Sequence, residues 1–304
     1  MKENSDFVKI NSISDVHKLL GLPKPLHPLI SLIDTTKFSV DLNRFPKSHV
    51  LNFYKISYKT KLSGKLKYGQ GYYDFNEGGL LFAAPKQIIG SHEEVMDQEG
   101  FALLIHPDFL LGDPLAKKIK QYGFFSYSAN EALYLSDQEK DTIFAVFKGI
   151  ELELQSRIDD FSQGVILARI ALLLTYSDRF YKRQFITRKV INSNLLERLD
   201  DLLDDHFNNE KPLSDGIPSV LDLANQLAVS PSYLSDMLRS VTGQNAQQLI
   251  HHKIVEKAKE ILSTSELSIA QVAYQLGFEY PQSFSRLFKA KTNLSPHEFR
   301  NSFN

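Results

Sequence analysis

The chain has 304 residues, a formal net charge of −1, 42% hydrophobic and 23% charged residues, and no cysteine. That composition is of a soluble globular protein long enough for two domains, and it excludes disulfides, thiolate nucleophiles and cysteine-ligated zinc. No apolar run reaches the roughly 18 residues of a membrane span, and Met1–Ile10 lacks the apolar segment of a secretory signal, so a cytoplasmic location without a membrane partner is expected.

From about Leu29 to Ile105 the pattern favours strands. The run from His49 to Tyr58 is rich in β-branched and aromatic residues, the turn Asn76–Gly79 precedes Leu80–Phe82, and Phe101–Ile105 reads as a further buried strand. Short strands at this spacing predict a small β-barrel or sandwich. Tyr54, Tyr58, Tyr68, Tyr72, Tyr73 and Phe75 are the aromatic candidates for lining an effector pocket in it, with Tyr54, Tyr58, Tyr72 and Tyr73 the chosen set; aromatics in such a region more often form plain core. His49, His92 and His106 are scattered without a His-x-His pair, so no metal and no other cofactor is expected. Neither a glycine-rich phosphate loop, a nucleophile elbow nor a zinc-helix motif occurs, which speaks against an enzyme.

The period then changes. Asp137–Asp160 reads as a long helix through Ile143, Phe144, Phe147, Ile150, Leu152 and Leu154. Ser162–Tyr181 carries Val165, Ile166, Ala168, Ile170, Leu172, Leu173 and Leu174, apolar on more than one face. Such a helix is buried either in its own domain or against a second subunit. A basic, aromatic stretch from Arg179 to Lys189 follows, then an acidic helix over Asn194–Phe207, with Asp200, Asp201, Asp204 and Asp205 opposite Leu195, Leu199, Leu202 and Leu203. Asn208–Pro218, with two prolines and a glycine, ends a linker that covers 191–218 and separates domains at 1–190 and 219–304.

The last stretch repeats one pattern. Leu221, Leu223, Ala224, Leu227, then Val229-Ser230-Pro231, Leu234, Met237, Leu238 and Thr242-Gly243 form the first copy. Ile269, Val272, Ala273, Leu276, then Gly277-Phe278-Glu279, Phe284, Leu287, Phe288 and Thr292-Asn293 form the second, with one extra residue in the turn. Each reads as a helix-turn-helix, with a small residue (Ala224, Ala273) where the second helix crosses the first. Two such units imply a protein that reads double-stranded DNA. Charge is a weak witness here: 216–304 holds eight Lys or Arg against seven Asp or Glu.

These residues, from Ser219 to Arg300 and including Gly277-Phe278, Phe284–Lys289 and Leu294–Arg300, resemble the AraC/XylS transcriptional regulators. Tyr72–Leu80 and Pro85–Gln87 resemble, less specifically, the cupin-like sensor domain found in members of that family. The resemblance implies an α+β protein of two domains: an N-terminal cupin-like barrel with two trailing helices, which binds an effector, forms a homodimer or both, and an all-α C-terminal domain of seven helices. A long helix over Ala246–Ser263 would join the two motifs and hold their recognition helices about 34 Å apart, in successive major-groove turns. Family analogy favours activation, with RNA polymerase as partner.

Helix faces divide core from contact residues. In the first recognition helix Tyr233, Leu234, Met237 and Leu238 turn inward, leaving Ser232, Ser235, Asp236 and Arg239. In the second, Phe284, Leu287 and Phe288 turn inward, leaving Gln282, Ser283, Ser285, Arg286 and Lys289, with Lys291 at the end. Gln282 suits adenine and Arg286 guanine, whereas Lys289 and Lys291 suit phosphate. Asp236 departs from the basic residue of many relatives, and Asn293 from the usual glycine, although asparagine tolerates the left-handed backbone of a helix end. Two alternatives remain: a cupin-type metal enzyme with an attached DNA-binding module, and a ligand-independent dimeric regulator.

Overall fold

The computed structural model describes residues 7–38, 46, 48–60, 65–68, 71–74, 78–90, 100–128, 131–157, 159–209 and 211–303. It divides into two compact units, Met1–Gln184 and Phe185–Asn304.

The first unit opens with β1 (Val8–Ile10), α1 (Ile13–Leu19), β2 (Ile30–Asp34), β3 (Ser48–Leu51) and β4 (Tyr54–Lys59). It continues through β5 (Lys65–Tyr68), β6 (Gly71–Asp74), β7 (Gly79–Ala83), β8 (Ile88–Gly90), β9 (Gly100–Ile105), α2 (Leu115–Lys118) and β10 (Leu133–Tyr134). Two long helices end it, α3 (Asp137–Gln155) and α4 (Ser162–Thr187), the last three residues of α4 falling in the second unit.

The described strands form sheets in the orders β10-β7-β4-β9-β2, β1-β3-β8 and β5-β6. Alternation along β4 explains the layering. Tyr54, Ile56 and Tyr58 share one face with Phe101 and Leu103 of β9 and with Leu80 and Phe82 of β7. Phe147 of α3 covers that face, stacked 5.5 Å from Phe101 and 6.0 Å from Tyr58. On the opposite face Ile33 and Leu104 join Ile10, Ile13, Val16, Leu51 and Phe53 in a second apolar cluster, which lies between the five-stranded and three-stranded sheets. Among the described residues these ladders form sheets with a core between the five-stranded and three-stranded ones, and they do not include the ladder that would close a barrel.

α3 begins at a capping box, Ser136 Oγ accepting from the Glu139 N–H while the Glu139 carboxylate accepts from the Ser136 N–H. It stops at Gln155, before the expected Asp160, and leaves Leu152 outside. α4 buries Ile166, Leu167, Ile170, Leu173 and Leu174 but exposes Phe161 just before it (78% exposed), Val165 (36%) and Leu172 (45%).

The second unit is helical: α5 (Lys189–Asn208), α6 (Lys211–Asp215), α7 (Val220–Leu227), α8 (Pro231–Thr242), α9 (Ala246–Thr264), α10 (Ile269–Gln275), α11 (Pro281–Thr292) and α12 (Pro296–Asn301). The segment expected as a linker packs within this unit. α5 buries Leu195, Leu199, Leu203 and Phe207, because a helix this long with a leucine stripe needs a surface to cover it. Its acidic face meets α9, where the Lys253 ammonium lies 2.9 Å from Asp200 and 2.8 Å from Asp204.

Candidate nucleic-acid interface

Local chemistry sets both motifs. Ser219 caps α7 through a box with Asp222, Leu223, Ala224 and Leu227 are buried, and Ala228 ends the helix at φ 58°. Ser230 caps α8 by accepting from the Tyr233 N–H at 3.2 Å, Pro231 occupies its first position and Gly243 ends it at φ 77°. In the second motif Ser268 caps α10 through a box with Gln271, and α11 again begins with a proline, Pro281. Asn293 ends α11 at φ 62°, the left-handed conformation expected of it. Ala224 and Ala273 are fully buried at the helix crossings.

Gly277 matters most in the second turn. It has φ 85°, and a Cβ there would lie 2.7 Å from the Gly216 carbonyl carbon. Both the backbone conformation and this close approach require glycine.

The outward residues form one stripe per recognition helix. On α11, Gln282, Arg286 and Lys289 follow helical spacing and are exposed, with Ser283 exposed and Ser285 half-buried beside them. Lys291 is exposed in the last turn. On α8, Ser232, Ser235 and Asp236 are half-buried and Arg239 is exposed. Tyr233, Leu234, Met237, Leu238, Phe284 and Phe288 are buried, Leu287 is half-buried, and Leu221 lies 56% exposed although it belongs to the repeat pattern.

Electrostatics separates the helices. Arg239 donates to Asp236 at 3.0 Å, so the α8 face is close to neutral. The α11 face carries Arg286, Lys289 and Lys291. The sequence reading passed over His251 of α9, which shares a hydrogen bond with Gln247 at 2.9 Å. Burial, then the Lys291 charge, holds its pKa below the ordinary value. It also passed over Tyr274 and Tyr280, exposed on either side of the second turn. Tyr280 takes the N-cap position without a side-chain cap bond, and an aromatic at that position was the available signal.

Of the aromatic set in the first unit, Tyr54 and Tyr58 are buried, Tyr54 edge-on to Phe125 at 5.1 Å and Tyr58 stacked on Phe101 and Phe147. The side chains of Tyr68, Tyr72 and Tyr73, and Phe75 and His92 altogether, lie outside the described residues. His49 Nδ1 lies 3.1 Å from the Pro46 carbonyl, and His106 Nδ1 accepts from the Asp108 N–H at 3.3 Å.

Residues 223–302 match the family model described as a helix-turn-helix domain. The chain is 24% identical over 265 residues to the uncharacterized HTH-type transcriptional regulator YfiF of Bacillus subtilis, covering 84% of this chain and 79% of that protein. It is 32% identical over 155 residues to the HTH-type transcriptional activator RhaS of Escherichia coli, covering 49% and 51%. The solved C-terminal domain of AraT, a response regulator from Geobacillus stearothermophilus, is 30% identical over 36% of this chain and 84% of its own, at a TM-score of 0.32. For most of these curated relatives the chain spans less than two thirds of their length.

The C-terminal domain is thus a double helix-turn-helix DNA-binding domain. Through it the chain is similar to AraC-type transcriptional regulators, the RhaS activator among them.

Proposed function

We propose that the protein is a cytoplasmic, sequence-specific transcription regulator that reads two adjacent major-groove half-sites, one with α8 and one with α11. One observation carries this reading: two capped, proline-started helices, each with a polar stripe over a buried core, joined by the 19-residue α9. At 1.5 Å per residue α9 is about 28 Å long, a scale suited to recognition helices one DNA turn, about 34 Å, apart. Arg286 and Gln282 read bases, while Lys289 and Lys291 hold phosphates. Ser232, Ser235, Asp236 and Arg239 of α8, with Ser283 and Ser285 of α11, complete the contact set.

The activator name of RhaS supports activation, with RNA polymerase as the partner. The N-terminal unit, cupin-like by resemblance, acts as effector-binding and dimerisation domain. Its dimer surface is the exposed stripe Phe161, Val165, Ala168, Leu172 and Thr175, whose 4-3-4-3 spacing is that of a coiled-coil seam. An antiparallel second copy places the exposed Asp159 and Asp160 against the exposed Arg179 and Lys182. Any effector acts by binding one arrangement of the protein better than the other.

Hydroxyl-radical footprinting on a selected site tests the two-motif reading. It should show two protected windows on one DNA face, about one turn apart. A single window would contradict it.

A further inference from the structure

The close approach at Gly277 comes from a part of the chain that precedes both motifs. α5 and α6 lead into Gly216, whose peptide link to Ile217 packs against the second turn. A Cβ on Gly277 would meet the Gly216 carbonyl carbon at 2.7 Å, the Ile217 nitrogen at 2.9 Å and the Gly216 carbonyl oxygen at 3.0 Å. α6 itself packs against α10, the helix before that turn.

The two turns differ in this respect. In the first motif Ala228 follows Leu227 as Gly277 follows Leu276 in the second. Ala228 also has left-handed backbone, at φ 58° against 85° for Gly277, and it is exposed. The first turn thus keeps a methyl group in the same conformation, and what sets the second apart is the crowding by Gly216.

Gly216 is itself held. His206, half-buried in the last turn of α5, donates from Nε2 to the Gly216 carbonyl oxygen at 2.9 Å, since a carbonyl only accepts. The Gly216 N–H donates to the Pro212 carbonyl at 3.0 Å, which ties it to α6. Asp205, paired with Lys211 and bonded by Asn209, closes the turn between α5 and α6. α5 is anchored by its buried Leu199, Leu203 and Phe207, and by Asp200 and Asp204 on Lys253 of α9, the helix that joins the motifs. Beyond the turn, Phe278 is buried with its ring 5.5 Å from that of Phe284, a fully buried residue of α11. A continuous line of packed and bonded groups therefore runs from α9 through α5, His206 and Gly216 to the turn that aims α11.

We propose that His206 is a positioning residue for DNA recognition: by holding the Gly216 carbonyl against Gly277 it fixes α11 relative to α9, and so sets the spacing of the second half-site from the first. This role rests on α8 and α11 each taking one half-site, as proposed above. Without the bond α11 loses one of its supports, while α8, whose turn lies at the exposed Ala228, keeps its own.

The test uses the full chain on a selected DNA site, comparing the unaltered protein with His206→Ala, His206→Gln and Gly216→Ala. Far-ultraviolet dichroism identifies the temperature range in which each variant is folded, and footprints are recorded within it at saturating protein. His206→Ala should lower overall affinity about 2- to 10-fold, the worth of one hydrogen bond, and reduce protection in the α11 window while the α8 window stays protected. It should also shrink the penalty that the unaltered protein shows for DNA with one base pair added between the half-sites. His206→Gln retains an N–H donor and should restore both properties. Gly216→Ala disturbs the same support through its left-handed backbone, at φ 73°, and should reproduce the selective loss. Equal weakening of both windows by folded His206→Ala and Gly216→Ala overturns the proposal, as does an unchanged spacing penalty. A single window with the unaltered protein would instead remove the two-half-site reading, and this role with it.

Discussion

At the scale of single residues, Arg286 and Lys291 share a charge and an exposed position on α11, and the proposed reading gives them different roles. Arg286 lies mid-helix in the stripe with Gln282, whereas Lys291 lies in the last turn. Arg286→Ala should relax preference at one base pair, costing about 1–3 kcal/mol of discrimination. Lys291→Ala should weaken all sequences alike and reduce the slope of log affinity against log salt by about 1. Competition binding across salt concentrations checks both, and identical behaviour would remove the division into reading and positioning residues. Gly277→Ala forces a side chain into a left-handed backbone and against Gly216, and should destabilise the second unit by about 2 kcal/mol or more, read by denaturant unfolding. The helix faces of both motifs were legible in the sequence, since 3.6-residue spacing alone separates Phe284 and Phe288 from Gln282 and Arg286. The Asp236–Arg239 pair was not: it depends on side-chain rotamers, and from sequence Asp236 read only as a departure from the basic residue of many relatives.

Among the elements, that pair makes α8 the weaker electrostatic partner. Asp236→Asn frees Arg239 for phosphate and should strengthen binding while steepening its salt dependence by about one charge. A variant with unchanged salt slope would show that Arg239 points away from DNA. The joining helix was read as Ala246–Ser263 and runs Ala246–Thr264, and the starts of its neighbours are set by local signals: Ser219 with Asp222, Ser268 with Gln271, and Ser295 with Glu298 all form capping boxes. β1 and β10 went unread, since a strand of two or three residues exists only through its partners, here β3 and β7. The acidic helix was read as part of a linker because its leucines find their cover on helices distant in sequence, and Lys253, more than forty residues on, is likewise invisible to a local pattern. On α4, the stripe through Phe161 and Leu172 should hold a second copy. Leu172→Glu should then shift the sedimenting species from dimer to monomer with the helix content retained, and an unchanged dimer would place the interface elsewhere.

For the molecule as a whole, the buried His49 couples stability to pH. Its pKa is about 4 when folded against an ordinary 6.5. Between those values the unfolded chain binds a proton that the folded chain refuses. Stability is therefore full above about pH 6.5 and falls as pH drops towards 4, by about 3 kcal/mol in total. Thermal unfolding from pH 7 to 4 should show this loss, and His49→Leu should flatten it. The two units differ in build: a sheet-rich unit, and a helical unit holding the two recognition helices. The central claim, that both motifs read sequence from one chain, is tested most directly by selecting genomic fragments bound by purified protein at near-physiological salt, with Arg286→Ala alongside. The account predicts a two-part motif spanning two successive major-groove turns, with one position degenerate in the variant. A motif confined to one turn, unchanged by Arg286→Ala, would contradict it.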